Sequence, residues 1–146
     1  MAMTTERSLV KTMARWSLGV FLAIAGIGHL GPQRAEFQAQ VPSWVPIDPD
    51  IVVVVSGLVE LSLGAALIFA GRRAPLVGVI VAGFFIVIFP GNVAQFVEGT
   101  NAFGLDSNSE RLLRLWFQPL LVIWALWSTG GWGWLRHWFG AEHPPG

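Results

Sequence analysis

Cysteine is missing from all 146 residues, which removes disulfides, thiolate nucleophiles, iron–sulfur ligation and Cys-ligated zinc together and leaves the redox compartment unspecified. Any redox role must borrow its electron carrier. Charge is scarce as well. Lys, Arg, Asp and Glu make up 12% of the chain, nine basic against nine acidic, so there is no basic footprint for nucleic acid. Also missing are a Gly-rich phosphate loop, a GxSxG elbow, an HExxH helix and a pair of histidines spaced for haem across one bundle. These gaps set aside the motif-borne chemistries of soluble enzymes. What the chain has in excess is apolar surface: 53% of residues are hydrophobic and the mean hydropathy is +0.59, well outside the soluble average. The length suits one compact unit, here an integral membrane domain covering 1–146.

The stretch Ile51–Ala70, IVVVVSGLVELSLGAALIFA, is interrupted by a single carboxylate, Glu60. About 20 such residues at 1.5 Å rise match the hydrocarbon core of a bilayer. An ionisable group within a span is costly, and it is tolerated when it faces a protein interior or a water cavity with a partner. Three further spans are predicted. The first is Leu9–Leu30, with Lys11 and Arg15 snorkelling to the interface. The third is Ala74–Val97, broken or kinked near Pro90-Gly91. The fourth is Glu110–Trp127, with Asp106, Asn108 and Ser109 as candidate N-caps and a kink at Pro119. The basic start and Ala23-Ile24-Ala25 also resemble a cleavable signal peptide. The stripe Gly19, Ala23 and Gly26 instead suits a retained helix that packs closely.

Four prolines between Gly31 and Asp50 forbid one continuous helix there, although Gln33–Gln40 suits a short one, and Trp44 suits an interfacial anchor. The tail 128–146 contains Gly130-Gly131 and then WGWLRHWFG, a pattern that lies on an interface better than it spans one. The expected fold is all-α: an integral membrane four-helix bundle with a C-terminal interfacial amphipathic segment.

In that topology the termini and the Arg72-Arg73 turn share one side with six basic residues, Arg7, Lys11, Arg15, Arg72, Arg73 and Arg136. The other side holds three, Arg34, Arg111 and Arg114. The excess predicts cytoplasmic N- and C-termini in the inner (plasma) membrane. His29, Asn92, Arg111 and Arg114 then fall near the outer helix ends. Gln118 lies about 10 Å below Arg111 and Glu60 about 14 Å below Ile51. Ser56, Gly57, Glu60 and Gly64 share one face of their helix, and Arg111, Arg114 and Gln118 one face of theirs. The candidate ligand-binding set is therefore His29, Glu60, Asn92, Arg114 and Gln118, with Trp44, Ser56 and Arg111 as contributors. His137 and His143 sit on the opposite side, so no three-histidine metal site is expected.

Structural roles compete with each of these. Arg111 and Arg114 can contact lipid headgroups, Glu60 can pair with Gln118 or Arg114 or sit protonated, and His29 can be a hydrogen-bonded packing residue. A polar cluster inside an apolar bundle suits a small hydrophobic molecule with one or two polar atoms, such as a quinone or an isoprenoid-like compound. No intrinsic cofactor is expected.

Several stretches occur together in an order similar to that of the DoxX-like family of small four-helix membrane proteins. Gly26-Ile27-Gly28-His29-Leu30 with Pro32 resembles its GxxHF…P signature, Leu30 replacing the commoner aromatic. Val41-Pro42-Ser43-Trp44-Val45-Pro46 resembles VPxWxP, and Ser56-Gly57-Leu58-Val59-Glu60 with Gly64 resembles SGxxE…G. Phe89-Pro90-Gly91-Asn92 resembles the proline–asparagine turn, and Arg114-Leu115-Trp116-Phe117-Gln118 resembles RxxxQ. The resemblance runs from about Gly19 to Trp127 and leaves out the Trp-rich tail. It implies a membrane subunit of an oxidoreductase system, since the family is named for one associated with quinone-linked thiosulfate oxidation. Whether this chain is itself an enzyme stays open. The expected partners are the lipid bilayer, proteins of a redox complex, and a second copy of the chain if it forms a homo-oligomer, with no nucleic acid. A non-catalytic scaffold that anchors partner proteins is the alternative, and proton or solute transport a third reading.

Overall fold

The computed structural model of the chain describes residues 2–104 and 106–140, so His143 and the end of the tail lie outside the described residues. It is all-helical there. Helix α1 (Ala2–Leu30) starts well before Leu9 and stops at Gly31-Pro32, where the proline disfavours the α conformation of the residue before it. The short helix α2 (Arg34–Gln38) follows. Arg34 Nε and Gln38 Nε2 both donate to Asp50 Oδ1 at 2.6 Å, and Arg34 Nη2 donates to Asp50 Oδ2. These bonds fasten α2 to the start of α3 and raise the Arg34 pKa above its ordinary value.

Helix α3 (Pro49–Phe69) opens with Asp48 accepting from the Asp50 N–H at 2.8 Å and with Pro49 in the first turn, where its missing N–H costs nothing. A 3₁₀ turn at Gly71–Arg73 reverses the chain into α4 (Ala74–Glu98). The expected break at Pro90-Gly91 does not occur: the helix continues through Pro90 and ends where Gly99 takes a left-handed φ of 66°. Pro90 removes one i→i−4 bond, a local loss that the packed helix absorbs.

Helix α5 (Asn108–Thr129) is capped by Ser107, not by Asp106, Asn108 or Ser109. Ser107 Oγ accepts from the Glu110 N–H while the Glu110 carboxylate accepts from the Ser107 N–H at 3.0 Å, a reciprocal capping box. Gly130, at φ 77°, separates α5 from α6 (Gly131–Gly140). The tail thus holds a distinct helix. Trp132, Trp138 and Phe139 are exposed on it, Trp134 stacks on Trp138 and Arg136 lies over Trp132.

Two antiparallel pairs build the bundle, α1 with α3 and α4 with α5. Gly19 meets Gly64 and Gly26 meets Gly57 so closely that a Cβ on Gly19 would stand 2.8 Å from the Gly64 carbonyl, and one on Gly26 2.7 Å from that of Gly57. Small residues let the two backbones touch, which is how helices gain packing energy in lipid. Gly78 of α4 gives the same clearance to Thr129 of α5, whose Oγ1 would sit 1.8 Å from an added Cβ. Trp124 Nε1 donates to the Ala14 carbonyl at 2.9 Å and ties α5 to α1 near the termini. The core, with Leu18, Leu22, Leu67, Val81, Phe85 and Ala125, draws on all four long helices. Each of these four is long and apolar enough to cross a bilayer. Their outward faces keep Ile24, Val55, Val87 and Leu113 exposed, as a lipid-facing belt requires.

Candidate functional site

A cavity of about 670 Å³ lies between the two helix pairs, at the end of the bundle away from the termini. Its walls are mostly apolar, and six of the eight candidate residues line it: His29, Ser56, Glu60, Asn92, Arg114 and Gln118. The other two are elsewhere. Trp44 is 69% exposed on the connector between α2 and α3. Arg111 is buried but turned into the loop before α5, where it bonds Asn108 Oδ1 at 3.0 Å, the Asp106 carbonyl at 3.4 Å and Asn101 Oδ1. Its reach holds that loop in place.

Each helix pair brings its own polar couple to the cavity. On α1 and α3, His29 Nδ1 stands 2.8 Å from Glu60 Oε2 and 2.9 Å from the Ala25 carbonyl. Both neighbours are acceptors, so Nδ1 carries a hydrogen. The same nitrogen thus holds the Glu60 carboxylate and the Ala25 carbonyl together at the helix seam. Glu60 is only 5% exposed, and its partner in space is His29 instead of Gln118 or Arg114.

On α4 and α5, Asn92 Nδ2 donates to Gln118 Oε1 at 2.9 Å, and Gln118 Nε2 donates to the Phe85 carbonyl at 2.8 Å. Phe85 lies one residue before the carbonyl that Pro90 deprives of its helical donor, so the amide bridge spans the stretch the proline weakens. Both side chains are buried, and their mutual bonds satisfy groups that hydrocarbon would leave bare.

The end wall comes from residues that periodicity did not single out. Phe37 of α2 stacks on the His29 ring with centroids 3.4 Å apart, Phe103 meets Phe37 edge-on at 4.7 Å, and the Arg114 guanidinium lies 5.1 Å above the Phe103 ring. Arg114 Nη2 donates to Gln40 Oε1 at 3.0 Å. That bond sets the amide's orientation and leaves Gln40 Nε2 buried with no acceptor. Two connectors are latched over this end by Phe103 N–H on Glu36 at 2.7 Å and Ser43 Oγ on Glu98 at 3.0 Å. The aromatic and amide residues of RAEFQAQ were the signal available in the sequence, but a five-residue helix has too few turns to show a face.

Chemically, the cavity offers a hydrocarbon lining, the His29–Glu60 couple, the Asn92–Gln118 amides and a guanidinium with donors to spare. Such an inventory can hold an apolar molecule by a polar head. The His29–Glu60 couple can also exchange a proton with it. Among the described residues no group of three His, Asp or Glu side chains is arranged to hold a metal ion. His137 lies on α6, at the opposite end.

Comparison with known proteins finds no match among curated proteins or solved structures. Residues 18–129, the part that holds the core of the bundle and the cavity, match the domain of unknown function DUF8561. The chain belongs to the DUF8561 family.

Proposed function

We propose that the protein binds a small, largely hydrophobic ligand in this cavity and serves as a membrane subunit of an oxidoreductase system, with a quinone as the compound that would fit. One observation carries the reading: polar side chains from all four long helices line one apolar cavity, with Glu60 held against His29 at 2.8 Å. The Arg114 guanidinium, on the wall of the same cavity, can donate to a carbonyl oxygen of such a head group. The order of motifs similar to the DoxX-like family points the same way, toward quinone-linked chemistry. The excess of basic residues at the termini and the Arg72-Arg73 turn supports an inner-membrane orientation with both termini cytoplasmic and the cavity in the outer half.

The test is to purify the protein in mild detergent, identify co-purifying lipophilic molecules by mass spectrometry, and measure rebinding in Glu60→Gln, His29→Ala and Arg114→Ala. Each variant should weaken binding, by about tenfold where one charge-assisted hydrogen bond is lost. Three folded variants with unchanged binding and unchanged electron transfer would end this reading.

A scaffold role has one observation of its own, the exposed Trp132, Trp138 and Phe139 on a separate terminal helix. In that case removal of residues 128–146 abolishes association with partner proteins, whereas Glu60→Gln leaves it intact.

A further inference from the structure

Arg114 is a cation that meets no anion among the described residues. The ion pairs there are His29–Glu60 and Arg34–Asp50, and neither includes it. Its hydrogen bond goes to a neutral group, Gln40 Oε1 at 3.0 Å, and one face of the guanidinium lies over the Phe103 ring. The carboxylate one turn before it, Glu110, is taken by the cap of α5, where it accepts from the Asp106 and Ser107 N–H groups and from Ser107 Oγ, each at 3.0 Å. Glu60 faces His29 across the α1–α3 seam instead. A guanidinium keeps its charge in any protein environment. A charge set in an apolar wall is costly until a counter-charge meets it.

The remaining donors of Arg114 are not sealed in. Arg15 and Arg111 each bury a guanidinium nitrogen that has no partner, whereas Arg114, which lines the cavity, buries none, so its unused N–H groups lie on accessible surface. Along α5 the cavity wall changes character with depth. Exposed Glu110, with exposed Gln33 of the connector after α1, marks the aqueous rim, Arg114 follows about 6 Å below, and Phe117 and Leu121 carry the wall about 10 Å beyond it. Buried Leu22 and Phe85 add to the apolar part of the lining. Polarity is thus graded from water, through one positive charge, to hydrocarbon. That order matches an amphiphile with a single negative charge on its head.

Resting on the ligand-binding reading above, we infer that the ligand the cavity prefers is a carboxylate-headed amphiphile, its head paired with the Arg114 guanidinium and its chain running inward along α5. The two oxygens of a carboxylate match the guanidinium fork, and hydrogen bonds between ionised partners are about twice as strong as neutral ones. A neutral carbonyl, as in a quinone, accepts from the same donors and is held less tightly. The site thus ranks lipophilic molecules by the charge of the head.

The experiment uses the full chain in phosphatidylcholine nanodiscs at about pH 9, above the carboxyl range. The probes are radiolabelled palmitate and a radiolabelled decyl-substituted benzoquinone, and the competitors are unlabelled palmitate and palmitamide. Acid and amide share the chain and the carbonyl and differ in the charge. Palmitate should compete about tenfold better than palmitamide. Arg114→Gln should bring the two to parity, whereas Arg114→Lys, which keeps the charge without the fork, should retain a severalfold preference. Adding phosphatidylglycerol to the nanodiscs should not displace palmitate. If wild-type protein binds acid and amide equally, or binds the quinone and not palmitate, selection by head charge is wrong although the cavity still binds ligand. If neither probe binds, both this inference and the ligand-binding reading fall. A preference that survives Arg114→Gln would overturn the role of Arg114, and displacement by phosphatidylglycerol would make the anion a lipid phosphate in place of a carboxylate.

Discussion

Gly57 of α3 lies directly against His29 of α1: a Cβ added at Gly57 would stand 2.8 Å from the His29 Cβ and 3.1 Å from the Gly26 carbonyl. This closeness brings His29 Nδ1 to 2.8 Å from Glu60 Oε2, one helical turn away from Gly57. The glycine contact sets the interhelical distance, and the distance sets the polar couple. Gly57→Ala should therefore force α1 and α3 apart, at a cost of about 1–3 kcal/mol. Reversible unfolding in mixed detergent should show the loss. Gly83→Ala, at a position with open space around it, is the control that should not.

Among the described residues before α5, Ser107 is the one whose side chain accepts from a backbone N–H of the first turn, that of Glu110. Ser107→Ala should cost about 1 kcal/mol, the usual loss for an N-cap. Thermal denaturation followed by circular dichroism should place Ser109→Ala near wild type and Ser107→Ala below it.

Asn92 and Gln118 depend on each other, because both are buried and the Asn92 side-chain amide donates to Gln118 Oε1. A double-mutant cycle with Asn92→Ala and Gln118→Ala should give a coupling of about 0.5–2 kcal/mol, the range seen for interhelical hydrogen bonds in membranes. Independent effects of the two substitutions would mean that the bond does not hold α4 to α5.

Orientation can be read cleanly because the chain has no cysteine of its own. In intact cells, a membrane-impermeant maleimide should label Ser43→Cys from outside and should reach Arg73→Cys only after the membrane is opened. Both positions are exposed, on opposite ends of the bundle. The reverse pattern would place the cavity on the cytoplasmic side.

How much of the site could be read without coordinates depends on whether the signal was local. Glu60 stood out because a carboxylate within twenty apolar residues is anomalous wherever the helix turns out to pack. Asn92, Arg114 and Gln118 stood out for the same reason. Arg111 drew the same attention and serves a loop, since a buried arginine reads alike whether its donors meet a ligand or three oxygens of the preceding residues. Ser107 was legible, three residues before Glu110, but three other capping residues crowd the same connector. Pro90 suggested an interruption that neighbouring helices make unnecessary.

Four membrane spans, their order and their apolar outer faces follow from composition and length, because each helix must satisfy its own backbone in lipid and present hydrocarbon to it. Partners are another matter. That Glu60 meets His29, that Arg114 reaches back to Gln40, and that Phe37 caps a histidine ring depend on how far each helix is rotated and how closely the pairs approach. Those quantities are settled by contacts between residues far apart in the chain, with glycine meeting glycine at the α1–α3 seam, and no periodicity within a single helix records them.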